Sequence, residues 1–449
     1  MRRRIFRAPV ISFLTLTLLT VSLAQSPAPQ RKKIKDFGSS LKRLKWNPEK
    51  NAAVDSNNAT GTELNDGDVI RIDTSLVSSE LLVLDKQGNA VTGLTAADFL
   101  VAEDETPQKV EHFFNGNNAS VARTIVLIID YSGSQFPYLK NSIAAAHIMV
   151  DKLGPKDRMA VVTDDVEMLV DFTDDKKKLK DGLDELLDRT KLKKRFWGGT
   201  KLRLGRSMQY SALMATLNEA FDEEDVRPII IFQTDGDEAL FLRNPPIVMT
   251  PPAGLEGDAQ EKAEQSFQFH QKELLRNVTE FSLEDLYRAV ERSRATIYTV
   301  IPGPKLVGLP IEEQARKIRT DRHESQADIL AQVSSTDAKA KVRARMDRDE
   351  KNFTEEYDRW RADLRFKQQS ALAGIAPLTG GWTEFLETPS QADQIYARIF
   401  SDINQRYIVG YYPTNKEHDG KRRKIDFEVK GHPEYQIFGR RSYFAPKQH

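Results

Sequence analysis

Apolar residues change rhythm three times along the chain, and each rhythm predicts a different kind of element. From Asp68 to about Asn118, short runs such as "VIRIDTS", "SELLVLD", "DFLVAED" and "KVEHFF" are separated by "KQGNAVTGLTAA" and "ETPQ". Alternation broken by Gly, Asn and Pro turns predicts a small antiparallel β domain, sandwich-like, over 68–118. From Thr124, apolar strands alternate with helical patterns: "TIVLIID", "FPYLKNSIAAAHIMVDKL", "RMAVVT", "VEMLVDF", "DKKKLKDGLDELLDR", "SMQYSALMATLNEAF", "RPIIIFQTDG", "SLEDLYRAVERS" and "ATIYTVIP". "TIVLIID" and "PIIIFQT" lack a polar face, as expected of central strands covered by helices on both sides. The pattern predicts an α/β fold, a doubly wound and mostly parallel sheet, over 122–405. The tail, 406–446, returns to β grammar in "RYIVGYYPT", an Asp419-Gly420 turn signal, "KRRKIDFEVK" and "YQIFGRRSYFAP". These strands either extend the sheet or join the N-terminal β domain.

Two stretches interrupt the α/β alternation and are expected to be helical insertions. One covers about 241–281, opening with "RNPPIVMTPPAGLEG" and continuing as the polar "DAQEKAEQSFQFHQKELLRNVTEF". The other covers about 308–372 and is densely charged, with sparse apolar positions at helical spacing. Such segments are ordinarily solvated helices laid on a domain surface, and decorating helices of this kind also carry partner contacts.

The first residues combine Arg2, Arg3, Arg4 and Arg7, an apolar stretch from Val10 to Leu23, and the small-x-small site Ser22-Leu23-Ala24. This is the grammar of a cleavable signal peptide, cut after Ala24. The apolar stretch is shorter than the ~20 residues a membrane span needs. Cleavage would remove four arginines and no acids, taking the formal charge from 0 to −4, and the mature chain is expected to be secreted or periplasmic. Residues 25–67 are polar, basic in their first half, and rich in Pro, Asn and Ser; they are expected to form a disordered linker, with contact to anionic envelope polymers as a second reading.

Composition narrows the chemistry. Of 449 residues, 39% are hydrophobic and 29% charged, enough to build real cores. No cysteine is present, which removes disulfides and thiol catalysis. Lys plus Arg and Asp plus Glu balance at 66 each, and the basic concentration in the linker carries little aromatic interleaving, so nucleic acid is not an expected partner.

Strand ends carry the candidate site. In an open parallel sheet the loops at the carboxyl ends of the strands form the ligand crevice. Asp130 ends "TIVLIID", and its buried charge demands a partner. Ser132 and Ser134 alternate along the loop that follows, so three oxygens can converge. A second carboxylate, Asp235, ends "PIIIFQTD" just before Gly236. Two carboxylates and two hydroxyls match a hard divalent cation, which prefers several oxygen ligands and tolerates water.

Asp130-x-Ser132-x-Ser134 after one apolar strand, with Thr234-Asp235-Gly236 after another, resembles the von Willebrand factor A domain and its metal-ion-dependent adhesion site. Both flanks of the α/β core are also similar to secreted bacterial proteins known as VWFA-related, of the acidobacterial type. The resemblance covers most of 68–446 apart from the two insertions. It implies a doubly wound sheet holding Mg2+ or Mn2+, with Ca2+ admitted by the same oxygens, and a metal ligand from each of three loops. The second-loop ligand is Ser207, which has Ala212-Leu213 at the family's offset, or Thr200, which has the Gly-Gly-Thr flank. The resemblance also implies an open coordination position completed by an Asp or Glu of a partner protein, hence adhesion or protein–protein interaction.

Two other classes compete. A structural envelope protein with a vestigial metal site predicts partner binding indifferent to chelation. A metal-dependent hydrolase needs a general acid or base. The seven histidines (His112, His147, His270, His323, His418, His432 and His449) are scattered, with no HExxH pattern. There is also no GxxxxGK[ST] loop and no GxSxG elbow, so the chain is not expected to be an enzyme.

Overall fold

In-register pairing of parallel strands places residues that follow each strand side by side, and this sets the geometry here. The computed structural model describes residues 34, 36–47, 52–55, 76–115, 121–190, 193–194, 200–201, 205–222, 227–247, 257, 260–261, 264–265, 268, 278–333, 335–350 and 354–446. The signal-peptide segment and the strand expected at 69–75 lie outside them. Among the described residues the first elements are a short helix α1 (Ser39–Arg43) and a ribbon of β1 (Leu44–Asn47) and β2 (Ala52–Asp55). Strands β3 (Val77–Leu84), β4 (Phe99–Glu103), β5 (Thr106–Gln108) and β6 (His112–Asn115) follow. The α/β alternation then runs β7 (Thr124–Ile129), α2 (Phe136–Asp151), β8 (Arg158–Thr163), β9 (Glu167–Thr173), α3 (Lys176–Thr190), a ribbon of β10 (Lys193–Lys194) and β11 (Thr200–Lys201), α4 (Gln209–Glu219) and β12 (Pro228–Gln233). It continues with α5 (Leu283–Arg292), β13 (Thr296–Pro302), α6 (Ile311–Gln332), α7 (Thr336–Glu350), α8 (Glu355–Ala373), β14 (Thr383–Leu386) and α9 (Ala392–Gln405). The last strands are β15 (Tyr407–Tyr411), β16 (Arg422–Val429), β17 (Gln436–Phe438) and β18 (Ser442–Phe444).

The central sheet has six strands in the order β14-β13-β12-β7-β8-β9, parallel except that β9 runs antiparallel to β8. All six residues of β7 and of β12 are buried, which is why neither shows a polar face in the sequence. Successive side chains of a strand point to opposite faces. Ile125, Leu127 and Ile129 accordingly pack with Leu139 and Ile143 of α2, Leu183 of α3 and Ile399 of α9. Val126 and Ile128 pack on the other face with Leu213 of α4, Leu286 of α5 and Leu372 of α8. The doubly wound α/β fold is the fold observed. Chain order reverses at β7, with β8 on one side and β12 on the other, so the crevice of such a sheet lies at their carboxyl ends.

The strands on either side of the α/β region belong together. They form two four-stranded antiparallel sheets, β17-β3-β15-β6 and β18-β16-β4-β5. Their inner faces share one core: Leu81 and Val83 from β3, Tyr407 and Val409 from β15, Phe99 and Val101 from β4, and Ile425 and Phe427 from β16. The tail strands thus complete the N-terminal β domain, the second of the two arrangements expected for them.

Two expectations are corrected. Part of the stretch expected to be a disordered linker is folded: Ile34, Phe37 and Leu41 pack against the core on the α4 side. The backbone N–H groups of Gly38 and Ser40 donate to Glu219 Oε2 and Oε1 at 2.8 and 2.7 Å. An apolar residue every third or fourth position gave this segment a face to bury despite its basic composition. The second insertion is helical, as α6, α7 and α8, but it is not simply solvated. Leu364 and Leu372 of α8 are buried in the core. Of the first insertion, residues 260, 261, 264, 265 and 268 are helical and exposed. No helix among the described residues is long and apolar enough to cross a membrane.

Candidate metal site at the top of the sheet

Register alone gathers the acids. Ile129 pairs with Gln233 on one side and with Thr163 on the other. The next residues, Asp130, Thr234-Asp235 and Asp164, therefore leave three adjacent strands at one level. Asp130 is 1% exposed, Asp235 1% and Asp164 0%.

Asp130 is held by four groups. Its backbone N–H donates to Gln233 O at 3.1 Å. Its Oδ1 accepts from the Ser132 N–H at 2.9 Å. Its Oδ2 accepts from Gln209 Nε2 at 2.9 Å and from Thr234 Oγ1 at 2.8 Å. Gln209 also accepts from the Glu238 N–H at 3.0 Å, which ties the start of α4 to the loop after β12. The Ser132 and Ser134 hydroxyl oxygens lie 3.2 Å apart, the first buried and the second exposed. Gly236, in the left-handed region at φ 76°, turns the chain sharply after Asp235.

The second-loop candidates part company here. The Ser207 N–H donates to Asp164 Oδ2 at 2.8 Å, and Asp164 Oδ1 accepts the Tyr131 N–H at 3.1 Å. Asp164 thereby clamps the Ser207 loop to the Asp130–Ser134 loop. Gly205 is required for that clamp, because a Cβ there would stand 2.1 Å from both Asp164 carboxylate oxygens. Ser134 and Ser207 line the same cavity of about 810 Å3, with Asp237, Glu238, Trp360, Arg361 and Arg365 among its other walls. Thr200 lies in β11, paired with Lys194 of β10; its side chain is outside the described residues.

The electrostatics are those of an acid cluster short of cations. Burial pushes the Asp130 carboxyl well above its usual range, and the charges of Asp164 and Asp235 push it further. Burial likewise raises Asp164 and Glu238 to about 7 each, against backbone hydrogen bonds that lower them. Ser211 donates to Glu238 from both its backbone N–H, at 2.8 Å, and its hydroxyl. Asp235 differs from the others, since both of its carboxylate oxygens are buried and neither accepts a hydrogen bond. Arg365 of α8 stands 3.1 Å from Asp235 Oδ2, an ion pair without hydrogen-bond alignment.

These residues suit a hard cation by their chemistry: Asp235 is a buried carboxylate without a hydrogen bond, its charge is felt by Asp130, and the Ser132 and Ser134 hydroxyls lie together on the Asp130 loop. Among the described residues no group of three or more His, Cys, Asp or Glu side chains is placed to hold a metal ion. A site here must therefore take its remaining ligands from hydroxyls and water. Sequence reading singled out Asp130, Ser132, Ser134, Ser207 or Thr200, and Asp235, with Thr234 named in the motif but given no role; it missed Asp164, Gln209, Glu238 and Arg365. Asp164 alone had a visible signal, since it follows the apolar run "RMAVVT" as Asp130 follows "TIVLII".

A scan against protein-family models and a search of curated proteins each find no match. Among solved structures, the chain is similar to the vWF domain of the type V pili tip protein Mfa5 from Porphyromonas gingivalis. Identity is 13% and the TM-score 0.28, over 63% of this chain and 95% of that one. It is also similar to a structure of three N-terminal domains of Mfa5, at 16% identity and a TM-score of 0.22. That match covers 36% of this chain and only 26% of the other. An aerotolerance-related membrane protein from Bacteroides fragilis is similar at 15% identity and a TM-score of 0.21, over 40% of this chain and 67% of that one. At such scores the fold statement rests on the sheet order itself.

Proposed function

We propose that this chain is a secreted or periplasmic VWA-type protein that binds a partner through a divalent cation, Mg2+ or Mn2+, at the top of its sheet. Asp130, Ser132, Ser134, Ser207 and Asp235 would hold the ion, with Ser207 favoured over Thr200 by the Asp164 clamp. When bound, the ion supplies a Lewis-acidic position that a carboxylate of the partner completes. The protein's own residues do the rest: Gln209 and Thr234 fix Asp130 Oδ2, Asp164 holds two loops together, and the sheet register brings Asp130 level with Thr234, the residue before Asp235. The observation that carries the reading is the buried Asp235 carboxylate with no hydrogen-bond donor. Arg365 is its cationic neighbour but leaves both oxygens without a hydrogen bond, and a buried acid so under-satisfied favours a further cation.

Pull-down from an envelope extract with wild type and Asp130→Ala, each with and without EDTA, tests it. The expected result is a partner retained by wild type alone, lost with EDTA and restored by Mg2+. Identical partners in all four samples would sink the reading in favour of a structural envelope protein.

A further inference from the structure

Helix α8 belongs to a densely charged insertion, and its exposed charges pair within the helix, as Arg359 with Glu355 at 3.1 Å and Lys367 with Asp363 at 2.6 Å. Arg365 does otherwise. Its Nη1 reaches across to the sheet top, 3.1 Å from Asp235 Oδ2 and 3.3 Å from Asp237 Oδ1. The helix is fixed in place for that reach. Gln368 Nε2 donates to Asp237 Oδ1 at 3.0 Å. Leu372 lies so close to Gly236 that a Cβ there would be 2.8 Å from its Cδ1. The guanidinium thus sits between two acids, one at the candidate ion site and one just outside it, and lines the same cavity as Ser134 and Ser207.

Resting on the metal reading above, we propose that Arg365 is a built-in competitor for the divalent cation, neutralising Asp235 in the ion-free protein and passing to Asp237 when an ion takes Asp235. A monovalent cation and a divalent cation drawn to one carboxylate oppose each other by simple Coulomb repulsion. A second acid within reach of the same guanidinium lowers the cost of the exchange, because the displaced charge stays paired. Arg365 therefore sets the ion affinity, and ion occupancy in turn reshapes the cavity wall that a partner would meet.

The test is isothermal titration calorimetry with MgCl2 on wild type, Arg365→Gln, Arg365→Met and Arg365→Lys, each checked for folding by its thermal transition. Two neutral replacements are used so that either carries the comparison if the other fails to fold. Neutral variants are expected to bind Mg2+ on the order of tenfold more tightly than wild type, and Arg365→Lys, which keeps the charge, to stay near it. Folded neutral variants that bind as wild type does, or more weakly, would overturn this inference and leave the metal site standing. No Mg2+ binding by wild type or any variant would overturn both.

Discussion

At the amino-terminal end of the central sheet Arg227 and Arg406 are buried against Glu80 and Asp402, two cations to two anions. Arg227 Nε meets Glu80 Oε1 at 2.8 Å, and Arg406 Nη2 meets Asp402 Oδ2 at 2.9 Å. The remaining hydrogen-bonding capacity is used as well: Arg227 Nη2 donates to Ile403 O and Trp382 Nε1 to Asp402 Oδ2, at 2.8 and 2.7 Å. At the carboxyl end Asp130, Asp164, Asp235 and Glu238 are buried, and Arg365 is the cation in ion-pair contact among the described residues. The first cluster joins β3 of the sandwich to the base of the sheet and to α9, and needs nothing further. The second leaves carboxyls raised by burial and an acid without a donor. Charge balance, rather than burial, is what separates the two ends of the sheet.

The comparison can be broken at the joint first. Arg227→Met strands Glu80 and should cost about 3–5 kcal/mol in urea denaturation; a loss near zero would mean that the two ends are alike. Next comes Asp235→Asn. Wild type at a Mg2+ concentration of about 100 Kd should gain about 2.7 kcal/mol by mass action, and the variant should gain none. Without Mg2+ the variant should match wild type within about 1 kcal/mol, since the replaced group accepts no hydrogen bond and Arg365, its ion-pair partner, stays paired with Asp237. Gly205→Ala drives a methyl into Asp164 and should cost roughly 1–3 kcal/mol by overpacking, while lowering Mg2+ affinity by loosening Ser207.

The last test is of pH. Asp164 and Glu238 have folded-state values near 7, above their ordinary 3.8 and 4.5. Between those limits the folded protein binds more protons than the unfolded chain, so stability falls as pH rises from about 4 to about 7. Thermal transitions in EDTA should come several degrees lower at pH 7.5 than at pH 5, and Mg2+ should narrow the gap. A transition that rises with pH in EDTA would show the cluster to be neutralised already.

What could be seen in the sequence follows from what is local. The doubly wound sheet was legible because β7 and β12 must be apolar on both faces, and Asp130 and Asp235 because each interrupts such a run at its end. Gln209 was not, since a glutamine inside a helical pattern looks the same whether it faces solvent or an aspartate. Arg365 sits in a charged run, 128 residues from Asp237, and nothing in its neighbours says that it reaches back to the sheet. Ile34, Phe37 and Leu41 carried a spacing signal that basic composition obscured. Pairing of β3 with β15 joins distant segments, and nothing local in either names its mate.

That pairing has a consequence for how the molecule comes into being. The Leu94 N–H bonds the Tyr407 hydroxyl across 313 residues, so at roughly 5–20 residues per second the early strands wait about 15–60 s for their mates to be synthesised. Nearly the whole α/β body is synthesised in that interval, while β3 to β6 stay half-made. The part of the protein laid down first is the part finished last.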